Sequence, residues 1–147
     1  MSSASIKKII PCNKKNLIKM VLDIEQYPQF VPWCLEGIIR EKKETEDFIE
    51  IKADLKVGKK FINAIYSSLV LYSKKKDLIT VVNIKGPLKY LKNEWRFKEV
   101  NGKTQLEFII DFELKNNFFN SIIKKYFNFG FNKITDAFEK RATKLYK

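Results

Sequence analysis

From Cys34 to Leu114 the chain alternates apolar and polar residues, broken only by short turn signals. A period of two sustained over that length admits strands and little else, because successive side chains of a strand point to opposite faces. In FIEIKADLKV, Ile49, Ile51, Ala53, Leu55 and Val57 fall on one side, and Glu50, Lys52, Asp54 and Lys56 on the other. Gly58 allows a turn into KKFINAIYSSLVLYS, KKKD separates that strand from LITVVNIK, and Gly86-Pro87 breaks it from LKYLKNEWRF. Asn101-Gly102 is a hairpin signal, and TQLEFIIDFEL after it directs Leu106, Phe108, Ile110, Phe112 and Leu114 inward. A strand at Leu35 to Lys42 and a first strand in SIKKIIPC bring the count to seven. Connections this short imply antiparallel neighbours in a strongly bent sheet.

Helical spacing flanks this region. Asn13 caps a predicted helix whose Leu17, Val21 and Ile24 share a face, and Pro28 discourages its continuation through Tyr27. In the last thirty residues, Phe119, Ile123, Tyr126, Phe127, Ile134, Ala137, Phe138 and Leu145 form one broad apolar stripe. A sheet with one apolar face and a helix with one apolar stripe bury each other. The expected architecture is an α+β domain over residues 1–147, with a curved sheet wrapped around the long final helix. At 147 residues a single domain buries about two thirds of the surface its unfolded chain exposes.

Composition narrows the chemistry. The chain has no histidine, which removes His-based catalysis and the common zinc ligand sets. Its cysteines, Cys12 and Cys34, lack metal spacing and fit a reducing cytoplasm, with a single disulfide left open. MSSASIKKIIPCNKK shows neither a secretory signal nor a transit peptide, and the uncharged run Phe61 to Ser73 is shorter than the roughly 20 apolar residues of a membrane span. A soluble cytoplasmic protein is expected. The 29 Lys and Arg against 17 Asp and Glu give a formal charge of +12. Such a field suits nucleic acid, the ribosome, an anionic membrane face, or simply a solvated surface. Nearly all of these residues are Lys, which suits diffuse attraction better than forked phosphate recognition.

Candidate site residues are those that break the patterns. Gly130 and Arg141 interrupt the stripe of the final helix. The glycine points to packing or clearance, and the guanidinium must meet an inward acid, a backbone carbonyl, solvent at the helix end or a ligand headgroup. Asn93 alternates with Leu91, Trp95 and Phe97 on the inner face, where its amide either orients a ligand carbonyl or serves a strand end or bulge. YPQFVPWC carries Tyr27, Phe30, Val31 and Trp33 on a backbone stiffened by Pro28 and Pro32. It reads either as a hydrophobic corner or as a lid over an apolar cavity. No phosphate-cradling loop, nucleophile elbow, metal cluster or aromatic RNA-binding signature is present, so neither catalytic nor metal-binding residues are assigned.

VLDIEQYPQFVPWC, GPLKYLKNEWRF, DFEL and AFEKRATKLY, in this order, resemble the coenzyme Q-binding START-domain family. Its bacterial members include oligoketide cyclase/lipid transport proteins and ribosome-association toxins. The resemblance runs from about Ile6 to Tyr146 and implies a helix-grip fold of START/Bet v 1 type: seven antiparallel strands around the C-terminal helix, with an apolar tunnel between. It implies ubiquinone or a related polyprenyl lipid as bound ligand, no required cofactor, and a carrier or chaperone supporting respiration instead of an enzyme. Tyr27, Phe30 and Trp33 would then form the mouth and lid, Asn93 and Trp95 the wall, and Tyr126, Gly130, Ile134 and Arg141 the helix side. Peripheral contact with an anionic membrane is the expected partner surface. The alternative is a ribosome-binding inhibitor of subunit association, with a polyketide cyclase third. Burying one isoprene unit contributes about 3 kcal/mol, so two or three units give useful affinity, in a pocket expected at about 300–1,000 Å³.

Overall fold

The computed structural model describes residues 2–59 and 61–146, and of these the side chains of Ser2, Phe119, Ile122, Ile123 and Tyr126 lie outside the description. Seven strands form one sheet: β1 (Ser2–Ile10), β2 (Cys34–Glu44), β3 (Phe48–Lys59), β4 (Ile62–Ser73), β5 (Leu78–Lys85), β6 (Leu88–Val100) and β7 (Lys103–Leu114). All neighbours are antiparallel, in the order β1-β7-β6-β5-β4-β3-β2. Helix α1 (Lys14–Leu22) follows β1, and helix α2 (Asn117–Tyr146) closes the chain. The seven-stranded curved sheet and its C-terminal helix are the helix-grip arrangement expected from the sequence.

Local chemistry sets the boundaries. The Asn13 side chain accepts from the Asn16 N–H at 2.8 Å and so begins α1. The α-helix ends at Leu22, but the chain then tightens into a 3₁₀ helix, Ile24–Gln29, that contains Pro28. The α-helix thus stops well before Pro28, helical geometry continues through the proline, and Tyr27 sits on a 3₁₀ turn. Asn101 and Gly102 take φ of 51° and 78°, the paired left-handed residues a two-residue hairpin needs. Gly58 is not the turn residue anticipated above. It pairs with Asn63 inside the hairpin, where a Cβ would stand 2.3 Å from the Ile62 carbonyl oxygen. Gly37 answers a similar constraint, since a Cβ there would lie 2.3 Å from the carbonyl oxygen of Ile24. The 3₁₀ helix therefore presses directly on β2.

Helix α2 lies nearest β1 and β7. Lys8 of β1 reaches Asp136 at 2.5 Å and Glu139 at 3.1 Å on α2. The inward face of α2 is built by Phe131, Thr135, Phe138 and Ala142, with Phe127, Ile134 and Tyr146 beside them. The sequence stripe was therefore turned too far toward Gly130 and Arg141. Leu145, placed inside it, is exposed, and Ala137 faces an outer groove. Phe119, Ile123 and Tyr126, which pulled the stripe that way, lie outside the described side chains. The largest fully buried side chains are those of Ile10, Leu17, Ile51, Ile79 and Thr104, drawn from β1, α1, β3, β5 and β7. Each aliphatic side chain among them contributes about 1.5–3 kcal/mol.

Candidate apolar binding site

Because α2 leans on β1 and β7, the inner faces of β3, β4 and β5 are left partly uncovered. Small side chains deepen the gap: Ala53 of β3 and Ser68 of β4 are register partners, and both face it. The result is a cavity of about 230 Å³ between sheet, 3₁₀ helix and α2. Leu55, Val57, Val70 and Val81 form its sheet wall, and Ile134 and Phe138 its helix wall. Among the described residues its polar members are Tyr27, Cys34, Ser68 and Asn93, and no Asp, Glu, Lys or Arg lines it.

The corner YPQFVPWC forms one side. Tyr27, Val31, Pro32, Trp33 and Cys34 all border the cavity. Among the described lining residues Trp33 is the only exposed side chain, which places the mouth beside its indole. Its backbone has φ 64°, a left-handed conformation that costs a bulky residue about 1–3 kcal/mol. The Trp33 carbonyl accepts from the Gly58 N–H at 2.8 Å, so corner and β3–β4 hairpin hold this conformation together.

The polar groups are mostly committed. The Asn93 amide donates to the Ile109 carbonyl at 2.8 Å and its oxygen accepts from the Trp95 indole N–H at 2.8 Å, leaving one amide hydrogen to spare. The Tyr27 hydroxyl donates a short hydrogen bond to the Val21 carbonyl. Burial, with smaller contributions from Cys34 and Asp23, pushes its pKa far up, and burial likewise raises the Cys34 thiol. Both remain protonated at neutral pH and serve poorly as bases or nucleophiles.

Of the residues singled out in the sequence, Tyr27, Trp33, Asn93, Trp95 and Ile134 come together around the cavity. Phe30 stands behind it, edge-on to Tyr27 and to Phe138, with ring centroids 5.9 and 5.1 Å away. Gly130 faces Trp33, and a Cβ there would sit 3.7 Å from the indole, an ordinary contact. Arg141 is not at the cavity. It lies in a separate surface groove with Lys133, Lys140 and Lys144, bonded to Gln29 at 3.3 Å and stacked 5.1 Å from the Phe30 ring. Its buried Nε has no hydrogen-bond partner among the described residues. The side chain of Tyr126 falls outside the described residues. Sequence reasoning missed Ala53, Ser68 and Phe138; the two small residues at inward positions of neighbouring strands were the available signal for a hollow.

A curved antiparallel sheet gripping a long helix, with an apolar cavity between them and its mouth at one end, defines a START-like helix-grip protein. The chain belongs to the family described as polyketide cyclase / dehydrase and lipid transport, which it matches over residues 18–139. It is 35% identical to the ribosome association toxin RatA of Rickettsia prowazekii over 151 aligned positions, covering 100% of both chains. It is 26% identical to the mitochondrial coenzyme Q-binding protein COQ10 of Dictyostelium discoideum over 131 residues, 86% of this chain and 62% of that one. Among solved structures, a START superfamily protein from Mycobacterium smegmatis matches with a TM-score of 0.80, covering 97% of this chain and 98% of the other; at 18% identity this is a likeness of fold.

Proposed function

We propose that the chain is a non-enzymatic binding protein for a polyprenyl quinone of the ubiquinone kind, or a lipid of similar shape, held by one end in the cavity. The observation that carries this reading is the cavity itself: about 230 Å³, walled by Val, Leu, Ile and aromatic side chains, with no charged group among the described residues of its lining. It is smaller than the roughly 300–1,000 Å³ of pockets for drug-sized ligands. A quinone ring or a short prenyl segment is the appropriate guest, and a long tail stays outside. The spare amide hydrogen of Asn93 and the hydroxyl of Ser68 suit a ligand carbonyl in an otherwise apolar wall. Resemblance to a protein named for coenzyme Q binding supports the same choice. Tyr27 and Cys34, the titratable residues of the lining, are both held protonated, which favours binding over acid–base catalysis.

Organic extraction of the purified protein followed by mass spectrometry tests the reading. Quinone or another prenyl lipid is expected in the extract, with occupancy lowered by Trp33→Ala. An extract without any apolar ligand, together with failure to take up a short-chain ubiquinone, would sink it. A second reading rests on the RatA relative, which aligns along the whole chain, and on the +12 charge. Under it, added protein raises the fraction of free ribosomal subunits in a gradient, and Lys→Glu changes on the basic surface abolish the effect.

A further inference from the structure

The end of the molecule at which the cavity opens carries an unusual amount of exposed apolar surface. At the tip of the β3–β4 hairpin, Phe61 is 89% and Ile62 is 84% exposed. Trp33 joins them through the bond from the Gly58 N–H to its carbonyl, and Phe129 follows on α2, next to the Gly130 that faces the indole. Ile65 extends the patch along β4, and Phe118 lies in the first turn of α2, just past the loop where the Lys115 N–H donates to the Pro87 carbonyl at 2.9 Å. The opposite end of the sheet, with α1 and the Asn101-Gly102 turn, exposes Ile9, Phe48 and Leu145 only to 48%, 42% and 47%, well short of Phe61 and Ile62. An apolar rim of this kind marks a contact surface.

Charge identifies the partner. Residues 55–67, 81–93 and 114–135, the main segments at this end, hold ten lysines and no Asp, Glu or Arg, and these lysines outnumber the four neighbouring acids Glu36, Asp54, Asp111 and Glu113 that pair with these segments across the strands. Aromatic and aliphatic tips among lysines match an anionic lipid interface, in which apolar groups enter the acyl boundary and ammonium groups remain at the headgroups. Each lysine near such a surface strengthens attachment about fivefold. A second copy of the chain is a poor partner, because it would bring a like field against the first. Nucleic acid fits less well: Ile62 and Ile65 offer no stacking plane, and the forked donors that favour phosphate are absent from these segments.

We propose that this end, led by Phe61 and Ile62 with Trp33 and Phe129 behind them, is a docking surface for an anionic lipid bilayer. The mouth of the cavity is thereby held at the membrane. The proposal names a partner for the site described above and rests on its reading as a lipid site. Docking explains how a cavity too small for a long tail is served: the tail need not leave the bilayer while the ring or its first units enter beside Trp33.

Flotation of the full chain with vesicles of phosphatidylcholine mixed with phosphatidylglycerol tests it. The protein is expected to float with these vesicles, and far less with phosphatidylcholine alone. Phe61→Ser with Ile62→Ser should lower partitioning by about tenfold or more, from the loss of two inserted apolar side chains, without moving the thermal midpoint. Should that double variant fail to fold, Phe129→Ser reports on the same rim from α2. Wild-type protein that stays with the aqueous phase overturns the proposal, as does unchanged flotation of the double variant. Filter binding of single-stranded RNA that is lost in the same variant, in the absence of flotation, also overturns it in favour of RNA. Uptake of short-chain ubiquinone from detergent separates the two readings: a variant that no longer floats but still takes up quinone leaves the cavity reading standing, and wild-type protein that floats but never takes up quinone overturns the cavity reading alone.

Discussion

The two ends of the molecule both carry large apolar side chains and put them to opposite uses. Where α1 and the C-terminal part of α2 meet the sheet, Ile10, Leu17, Thr104 and Ala142 are almost wholly covered, and Phe138 meets Tyr27, Phe30 and Trp95 edge-on at 5.4, 5.1 and 5.0 Å between centroids. At the other end small residues leave a cavity, and Phe61, Ile62 and Phe129 face outward. Hydrophobic content alone therefore does not report stability. What matters is whether facing positions supply enough volume to close against one another. Phe138 stands at the joint, packing toward the closed end and lining the cavity toward the open one.

The sharpest way to break this contrast is to make one truncation at both ends. Phe138→Ala should cost about 3–5 kcal/mol in chemical denaturation, because it removes a ring with three aromatic partners and leaves a void. Phe61→Ala, on a residue 89% exposed, should stay within about 0.5 kcal/mol of the parent. Equal losses would show the hairpin tip to be structural. Next in size is a filling substitution: Ala53→Leu places three more carbons at the wall of the cavity and should raise stability by about 0.5–2 kcal/mol while abolishing quinone uptake. If uptake survives, the ligand sits elsewhere.

The fold was readable because its main signals are local and repeated: alternation along each strand, turn chemistry at Asn101-Gly102, and a capping Asn13. The site was readable only in part. Tyr27, Trp33, Asn93 and Trp95 were found because each departs from its surroundings in composition or polarity. Ala53 and Ser68 pass as ordinary strand residues until register sets them side by side, and register is a tertiary property. Arg141 misled for a related reason. Its true position depends on the rotation of α2, and that rotation is set by Phe131, Thr135, Phe138 and Ala142 against the sheet, with many competing aromatics in the first half of the helix.

Gly130 offers a smaller test on the open end. A Cβ meets the Trp33 indole at 3.7 Å, an ordinary contact, and alanine favours the helix over glycine by about 1 kcal/mol. Gly130→Ala should thus raise the melting midpoint slightly. If it also slows or weakens quinone uptake, the glycine is kept as clearance for movement of the indole at the mouth. An unchanged uptake rate would leave Trp33 as a fixed wall.

The smallest effect belongs to the closed side of the comparison, in the link between β1 and α2. Asp136 is held below the ordinary carboxylate range, first by its hydrogen bond from Lys8 and then by the charge of that ammonium. For Lys8, burial alone would lower the pKa, but hydrogen bonds to Asp136 and Glu139 and their charges outweigh it and raise the value. The folded state therefore binds the Asp136 proton less readily than the unfolded chain does, and the Lys8 proton more readily. By linkage the Asp136 contribution is fully present above its ordinary value and disappears as pH falls through the lowered folded value. The Lys8 contribution is present below its ordinary value and disappears as pH rises through the raised one. Stability attributable to the link should be level across neutral pH and decline at both extremes, and Lys8→Met should flatten the acid limb. Asp136 is exposed, so the change in midpoint is expected to be slight and to shrink with added salt. A large, salt-insensitive acid transition that persists in Lys8→Met would assign acid sensitivity to other carboxylates and remove this link from the account of how the closed end is held.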